Sequence, residues 1–327
     1  MRRNILKKLI VVVVSLISVF CAFGCEKVQN STAMNGSEIF DAYRSSVVEV
    51  LCKDKSGTAF VVENSQNKVV FATAYHVTGY DAQNVKFRFV GSDVFVSGAT
   101  AIGYDVKHDV AFFEVQYDTA TQTSNAFASL KPCSFSIATV KEGEKVYAIG
   151  NADGEGISIV DGIVSKKEDI VKYGASNYYK PLIRTSARVS SGNSGGALVN
   201  ESGKVVGMTV ASDENNYSKN YALPISIVNA LYTRVKQNKQ NAQVRYPLFS
   251  ISREDVNVGD DIKRVDFVML CGRAFVFDNA LFDESENKWY MQINGKRVMT
   301  ITSLVEQIVS IDSENVLLTG PDGELTL

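Results

Sequence analysis

The sequence predicts a mainly β protein whose strands close into barrels or stack as a sandwich. Three observations carry this. Short runs rich in Val, Ile and Phe recur from Val47 to Val210. Gly, Asn, Asp and Ser separate those runs. Beyond one short stretch near residue 40, helical periodicity is absent until residue 225. Short strands punctuated by turn residues are the mark of all-β architectures.

Taken in order, Ser37 to Ser46 reads as a short helix, with Ser37 as N-cap and Ile39, Phe40 and Tyr43 on one face. Strands follow at Val47–Leu51, Thr58–Val62, Val69–Thr73, Val85–Val90 and Val110–Val115. A second set lies at Lys145–Ile149, Ile157–Val164, Leu182–Thr185, Ala197–Val199 and Val205–Val210. Ile225 to Gln237 is the first long helix, with Ile227, Val228, Leu231 and Val235 on one stripe. The polar stretch Gln237 to Gln243 is the best domain boundary. Beyond it, residues 244–327 read as a small α+β or β-rich accessory domain. Its strands lie at Asp266–Leu270, Ala274–Phe277, Trp289–Ile293 and Val316–Thr319, and its helix at Thr302–Ser310. A chain of 327 residues accommodates this division, at roughly 100–200 residues per domain.

The first residues stand outside the fold. Arg2, Arg3, Lys7 and Lys8 precede an apolar run, Leu9 to Phe23, broken only by Ser15 and Ser18. The run is short for a membrane span and suits a secretory signal. It ends in Ala22-Phe23-Gly24-Cys25, which resembles the lipobox of bacterial lipoproteins and marks Cys25 for lipidation. An ordinary secretory signal and an uncleaved anchor are the other readings. All three put the folded part outside the cytoplasm, with Cys25 supplying a lipid anchor to the membrane in the first. Residues 26–45 then form a polar tether and the short helix.

Composition excludes several functions. Hydrophobic residues make up 45% and charged residues 21%, an ordinary globular balance. The net charge is −2, and becomes −6 if the chain starts at Cys25, because the leader holds four basic residues and no acid. Nucleic acid is therefore not an expected partner. Two histidines and five cysteines make neither a His-rich metal site nor a disulfide scaffold. Cys52, Cys133 and Cys271 read as buried free thiols.

Ser190-Ser191-Gly192-Asn193-Ser194-Gly195-Gly196 carries the chemistry. Glycines beside a serine permit a tight turn that exposes the hydroxyl and aims backbone N–H groups at a developing oxyanion. Ser194 is the candidate nucleophile, and the N–H groups of Gly192 and Ser194 are the candidate oxyanion hole. A serine nucleophile needs a general base, usually His. His76 ends a β run among small residues, where it can face a cleft. His108 reads instead as a surface or strand-edge residue. Asp109 is the best carboxylate to orient His76, with Asp105 in reserve. The order His76, Asp109, Ser194 is that of the chymotrypsin-like fold and not of the α/β-hydrolases. No metal or cofactor is required.

Six ordered blocks resemble the HtrA/Deg group of chymotrypsin-like serine proteases. They are Ser56-Gly57-Thr58-Ala59-Phe60, Ala74-Tyr75-His76-Val77, His108-Asp109-Val110-Ala111, Ala148-Ile149-Gly150-Asn151 with Asp161 to Ser165, Arg184-Thr185-Ser186-Ala187 with Gly192 to Leu198, and Gly207-Met208-Thr209 with Tyr221-Ala222-Leu223-Pro224. The resemblance runs from about Ser46 to Arg234, within a protease domain at residues 46–238. It implies a double β-barrel with His76 and Asp109 from the first barrel and Ser194 from the second. It implies that Val210, Ala211 and Ser212 pair with substrate backbone as an added strand. It implies polypeptide substrates and a homo-oligomer, although only Phe40 and Tyr43 stand out before Val47 to build one. The chain departs from the family at Ala152, Ser186, Ser190 and Arg188. If Arg188 lines the primary pocket, an acidic residue before the cleaved bond is favoured. In the C-terminal unit, Ile293 to Val298 and the following helix and strand resemble the last third of a PDZ domain, whereas the front half does not. The rival reading of the whole is a catalytically silent lipoprotein that binds peptide in the same cleft.

Overall fold

The computed structural model describes residues 33–327 other than 66, 92–94, 119–125, 173–177, 214–215, 239–241, 259–260 and 313–314. The leader, Cys25 and the polar stretch to residue 32 lie outside the described residues. Among the described residues no helix is long and apolar enough to cross a membrane.

Helix α1 (Gly36–Tyr43) opens the described fold. Its N-cap is Asn35, not the expected Ser37. Asn35 Oδ1 accepts from the N–H groups of Ser37 and Glu38, and the Glu38 carboxylate accepts from the Asn35 N–H at 2.8 Å. Asn35 has Glu38 three residues on to close this reciprocal pair, whereas Ser37 has Phe40 there, so the helix starts earlier.

The first β unit comprises β1 (Val47–Cys52), β2 (Lys55–Ser65), β3 (Lys68–Ala74), β4 (Val85–Arg88), β5 (Ala99–Asp105) and β6 (Val110–Gln116). They form an antiparallel sheet in the order β4-β1-β2-β3-β6-β5. A single turn of helix, α2 (Tyr75–Thr78), follows β3 directly. Alternate residues of these strands face one core, where Val48, Val50, Phe71, Phe87 and Phe113 are all fully buried. The rings of Phe71 and Phe87 stack at 4.4 Å. Strand β5 is not evident in the sequence because Ala99, Ala101 and Gly103 carry little apolar bulk. Gly103 is needed there: a Cβ would stand 2.5 Å from the side chain of Val235.

The second unit comprises β7 (Lys145–Gly150), β8 (Ser158–Lys172), β9 (Tyr179–Thr185), β10 (Ala197–Asn200), β11 (Val205–Asp213) and β12 (Asn216–Pro224). These close into an antiparallel barrel in the order β10-β11-β12-β9-β8-β7. Strand β12 begins in the polar run Asn216 to Asn220, which hides it from a reading of hydrophobic pattern. Two six-stranded antiparallel units in succession are the double-barrel architecture that the resemblance implies.

Helix α3 (Ile225–Asn238) leaves the barrel and buries Ile227, Val228, Leu231 and Val235, the stripe read from the sequence. It also buries Arg234, whose guanidinium donates to Asp312 and to the carbonyl of Arg245. The C-terminal part has a five-stranded antiparallel sheet of β13 (Phe249–Val258), β14 (Asp261–Leu270), β15 (Arg273–Phe277), β16 (Leu281–Asp283) and β17 (Lys288–Tyr290). A four-stranded sheet follows, in the order β19-β18-β20-β21, from β18 (Gln292–Ile293), β19 (Lys296–Arg297), β20 (Leu317–Gly320) and β21 (Gly323–Thr326). Helix α4 (Ile301–Val309) lies between β19 and β20 in the chain. The run read as one strand, Trp289 to Ile293, is two, because pairing passes from Phe282 at Trp289 to Thr319 at Gln292. Residues 34–327 form one compact unit. The Glu168 carboxylate accepts from the N–H groups of Ile301 and Thr302 at the start of α4, a favourable place for an anion. Cys52, Cys133 and Cys271 are free, Cys52 buried and the other two half-buried.

Glu63 ties β2 to α3 through Tyr232 Oη at 2.8 Å and Lys236 Nζ at 2.9 Å. Burial alone would raise its pKa, but donation by Lys236, Tyr232 and Ser65 outweighs this and brings it from 4.5 to about 2. A carboxyl held below its unfolded value stabilises the fold above that value and ceases to do so as pH falls through the folded one. The Tm difference between wild type and Glu63→Gln should therefore be constant above the ordinary carboxyl range and vanish near pH 2. Thermal unfolding followed by circular dichroism against pH checks this.

Candidate active site

Asp105 to Asp109, the turn between β5 and β6, is built from its own side chains. Asp105 Oδ1 accepts from the N–H of His108 at 2.6 Å and faces His108 Nδ1 at 2.9 Å. This curls the turn and delivers Asp109 in a left-handed conformation, φ 62°. Such a backbone is uncommon for a residue other than glycine, though aspartate tolerates it. Every acceptor of Asp109 is then spent on the segment after β3. Its carbonyl accepts from Tyr75 N–H at 3.1 Å, Oδ1 from His76 N–H at 2.8 Å, and Oδ2 faces His76 Nδ1 at 2.6 Å. The Asp109 side chain is 8% exposed and that of His76 44%. A carboxylate on Nδ1 favours the tautomer with its proton there and leaves Nε2 as the basic nitrogen.

Ser194 sits on a turn that depends on close backbone approach. Gly192 and Gly195 have φ of 88° and 86°. A Cβ on Gly192 would lie 2.1 Å from Asn151 O, and one on Gly195 2.2 Å from Thr58 O. Gly57 meets Val77 on one side and Ser194 O on the other, at 2.7 and 3.1 Å from where its Cβ would be. The helix of His76 and the turn of Ser194 thus meet across a strand residue with no side chain. The Ser194 N–H and the Gly192 N–H donate to no protein acceptor among the described residues, whereas Asn193, Gly195 and Gly196 N–H all do. The Ser194 hydroxyl donates to Val210 O at 3.4 Å, a long bond, and makes none to His76.

Residues 57–208 match the family model described as a trypsin-like peptidase domain. A probable periplasmic serine endoprotease DegP-like of Buchnera aphidicola is 34% identical over 151 residues, 43% of this chain and 30% of that protein. The serine protease Do-like HtrA of Bacillus subtilis is 26% identical over 244 residues, 70% of this chain and 49% of that protein. The chain thus spans half or less of the length of these relatives. A crystal structure of a serine endoprotease from Yersinia pestis superposes with a TM-score of 0.52 at 20% identity, covering 88% of this chain and 95% of that one. Over residues 57–208 the chain is thus similar to trypsin-like peptidase domains, and the relatives named above are HtrA-type serine proteases.

Against the HtrA pattern, the structure brings His76 and Asp109 into direct contact and puts the Ser194 turn against the strand beside them. Asp105, the reserve carboxylate, pairs with His108 instead and does not reach His76. His108 itself is a correction: it is not a surface residue but 2% exposed. Its ring lies 6.0 and 6.2 Å from those of Tyr246 and Phe249, which come from the segment after α3. The sequence could not show this, because the covering aromatics are more than a hundred positions away. Burial lowers the pKa of His108, although Asp105 opposes that shift, while His108 in turn holds Asp105 low against its own burial. Two lysines join this cluster. Burial pulls Lys107 down to about 8 despite Asp105, and lowers Lys180 despite Asp109 and Asp105. Arg188 is exposed, while Val189 beside it is buried and bonded to Asn220. The side chains of Ala211 and Ser212 lie outside the described residues, and their backbone pairs with Tyr221 and Asn220. Three buried residues at the site were not singled out from the sequence for a role: Thr58, Asn151 and Thr209. All three fall inside the HtrA-like blocks, which was the available signal.

Asp109→Asn keeps the shape of the turn but offers an amide where two donors already point. It should reduce kcat on a peptide ester by on the order of 10⁴-fold with a native circular dichroism spectrum. A stopped or continuous ester assay measures it.

Proposed function

We propose that this protein is an extracytoplasmic serine endopeptidase that cleaves unfolded or exposed polypeptides. The observation that carries the reading is the fully committed Asp109–His76 pair beside a serine turn with two unpartnered amides. In this reading Ser194 Oγ attacks the scissile carbonyl and His76 Nε2 takes its proton. Asp109 holds the imidazole and stabilises the imidazolium that forms. The N–H groups of Gly192 and Ser194 receive the oxyanion, and His76 then protonates the leaving amine. Before attack the Ser194 hydroxyl gives up its bond to Val210 O. At 3.4 Å that bond is weak, and catalytic hydrogen bonds commonly tighten only once substrate is bound.

Substrate backbone is held by Val210, Ala211 and Ser212. Pairing between β10 and β11 ends at Ala197 with Met208, and from Ala211 onward the described register of β11 is with β12. An extended peptide laid on the other edge adds a strand, which binds many sequences because the bonds are to main chain. An HtrA-type chain whose similar proteins include one named as periplasmic fits a location outside the cytoplasm, with the signal segment removed and Cys25 lipidated. The protease portion is residues 46–238, and residues 244–327 are an accessory domain.

The silent, peptide-binding alternative predicts capture without turnover. Wild type should degrade casein and be labelled by a fluorophosphonate, and Ser194→Ala should do neither while keeping its thermal transition. Folded wild type that leaves casein intact and takes no label would refute the enzyme reading.

A further inference from the structure

The turn that carries Ser194 has three consecutive carbonyls, and each has a partner on the protein side. Ser191 O accepts from Asp153 N–H at 2.6 Å. Asn193 O accepts from Gly196 N–H at 2.9 Å and from the Thr209 hydroxyl. Gly192 O accepts from the Thr58 hydroxyl at 2.7 Å. In a trans peptide the C=O and N–H point to opposite sides. Holding Ser191 O and Asn193 O inward therefore turns the N–H groups of Gly192 and Ser194 outward, where neither meets a protein acceptor.

The middle peptide is the least constrained by sterics. Gly192 has no Cβ and already occupies a positive φ, so no side chain of its own bars the Gly192–Asn193 unit from turning over. Turned over, it would set a carbonyl oxygen beside the two outward amides, an acceptor where an anion is to be received. Two bonds oppose this, one at each end of the unit: the Asn193 N–H donates to Ser190 O at 3.1 Å, and the Thr58 hydroxyl, the one side chain involved, donates to Gly192 O at 2.7 Å. The Thr58 hydroxyl accepts from Asn151 N–H at 2.8 Å, which leaves its one proton for Gly192 O. Thr58 is fully buried, so no water competes for that proton.

We infer that Thr58 is the positioning residue that holds the oxyanion-binding turn in its open form. The inference rests on the serine-endopeptidase reading above. Thr58 suits the task because its backbone is tied on both sides. Its N–H donates to Ser194 O at 2.9 Å, and its own carbonyl accepts from the Thr73 hydroxyl at 2.6 Å, three residues before His76. One residue of β2 therefore connects the strand of the base to the turn of the nucleophile.

The test compares Thr58→Val, which keeps the shape and loses the hydroxyl, with Thr58→Ser, which keeps the hydroxyl. Wild type and Ser194→Ala are controls, and kcat, KM on a peptide ester and Tm are measured for each. The valine variant should lose on the order of 10- to 100-fold in kcat with KM within about threefold, somewhat less than deleting a donor outright. The serine variant should stay within about threefold of wild type in both. If the valine variant does not fold, Thr58→Cys, with a poor donor of similar size, takes its place. Wild-type kcat in a folded valine or cysteine variant overturns the inference, as does an equal loss in the serine variant. Wild type no faster than Ser194→Ala overturns the enzyme reading itself, and the inference falls with it.

Discussion

The contact between β2 and the Ser194 turn is closer than any pair of side chains permits, and the rest of the site is arranged around it. Gly57, Gly192 and Gly195 each stand where a Cβ would meet backbone or a neighbouring side chain at 2.1 to 2.7 Å. Removing side chains at these positions lets main chain meet main chain, so Thr58 N–H reaches Ser194 O directly. A peptide unit has no rotamers, and contacts made by it are more rigid than contacts made by flexible side chains. The two β units are thereby joined at the place where their functional groups must face each other.

The other half of the site is held by a different device. The turn from Asp105 to Asp109 carries two aspartate–histidine pairs of opposite character. Asp105 and His108 are sealed in the interior under Tyr246 and Phe249, and they shape the turn. Asp109 and His76 open on the cleft, with the imidazole almost half exposed. The buried pair is the support of the exposed one, since the left-handed backbone of Asp109 follows directly on His108. The segment after α3 completes this support: the Lys107 ammonium donates to Phe249 O and lies 3.3 Å from the Phe249 ring centre. The C-terminal part is thus packed against the loop that carries Asp109.

Much of this was legible in advance because its cause is local. The strands of both units lie where Val, Ile and Phe cluster, and α3 where four apolar residues share a stripe. Glycines flanking Ser194 announce a tight turn, whatever the fold around it. Strands β5 and β12 were not legible, since Ala, Gly and Asn carry no hydrophobic signal and pair there only because neighbours on both sides demand it. Asn35 displaced Ser37 as the cap of α1 through a glutamate whose carboxylate reaches back to it. His108 looked like an edge residue because nothing near it in the chain could cover it.

By itself the sequence determined the strand-rich class, the serine turn and the shortlist of two histidines, because composition, turn chemistry and residue scarcity need no knowledge of distant contacts. The sequence put Asp109 first for His76 with Asp105 in reserve; tertiary structure decided between them and gave Asp105 to His108. His76 precedes Asp109 by 33 positions and His108 precedes it by one, yet the distant one is its partner. The reason is geometric. The left-handed backbone at Asp109 aims its carboxylate away from its neighbour and across to the segment after β3. That direction is set by the buried Asp105–His108 pair and the aromatics above it, contacts that exist only once the chain has folded.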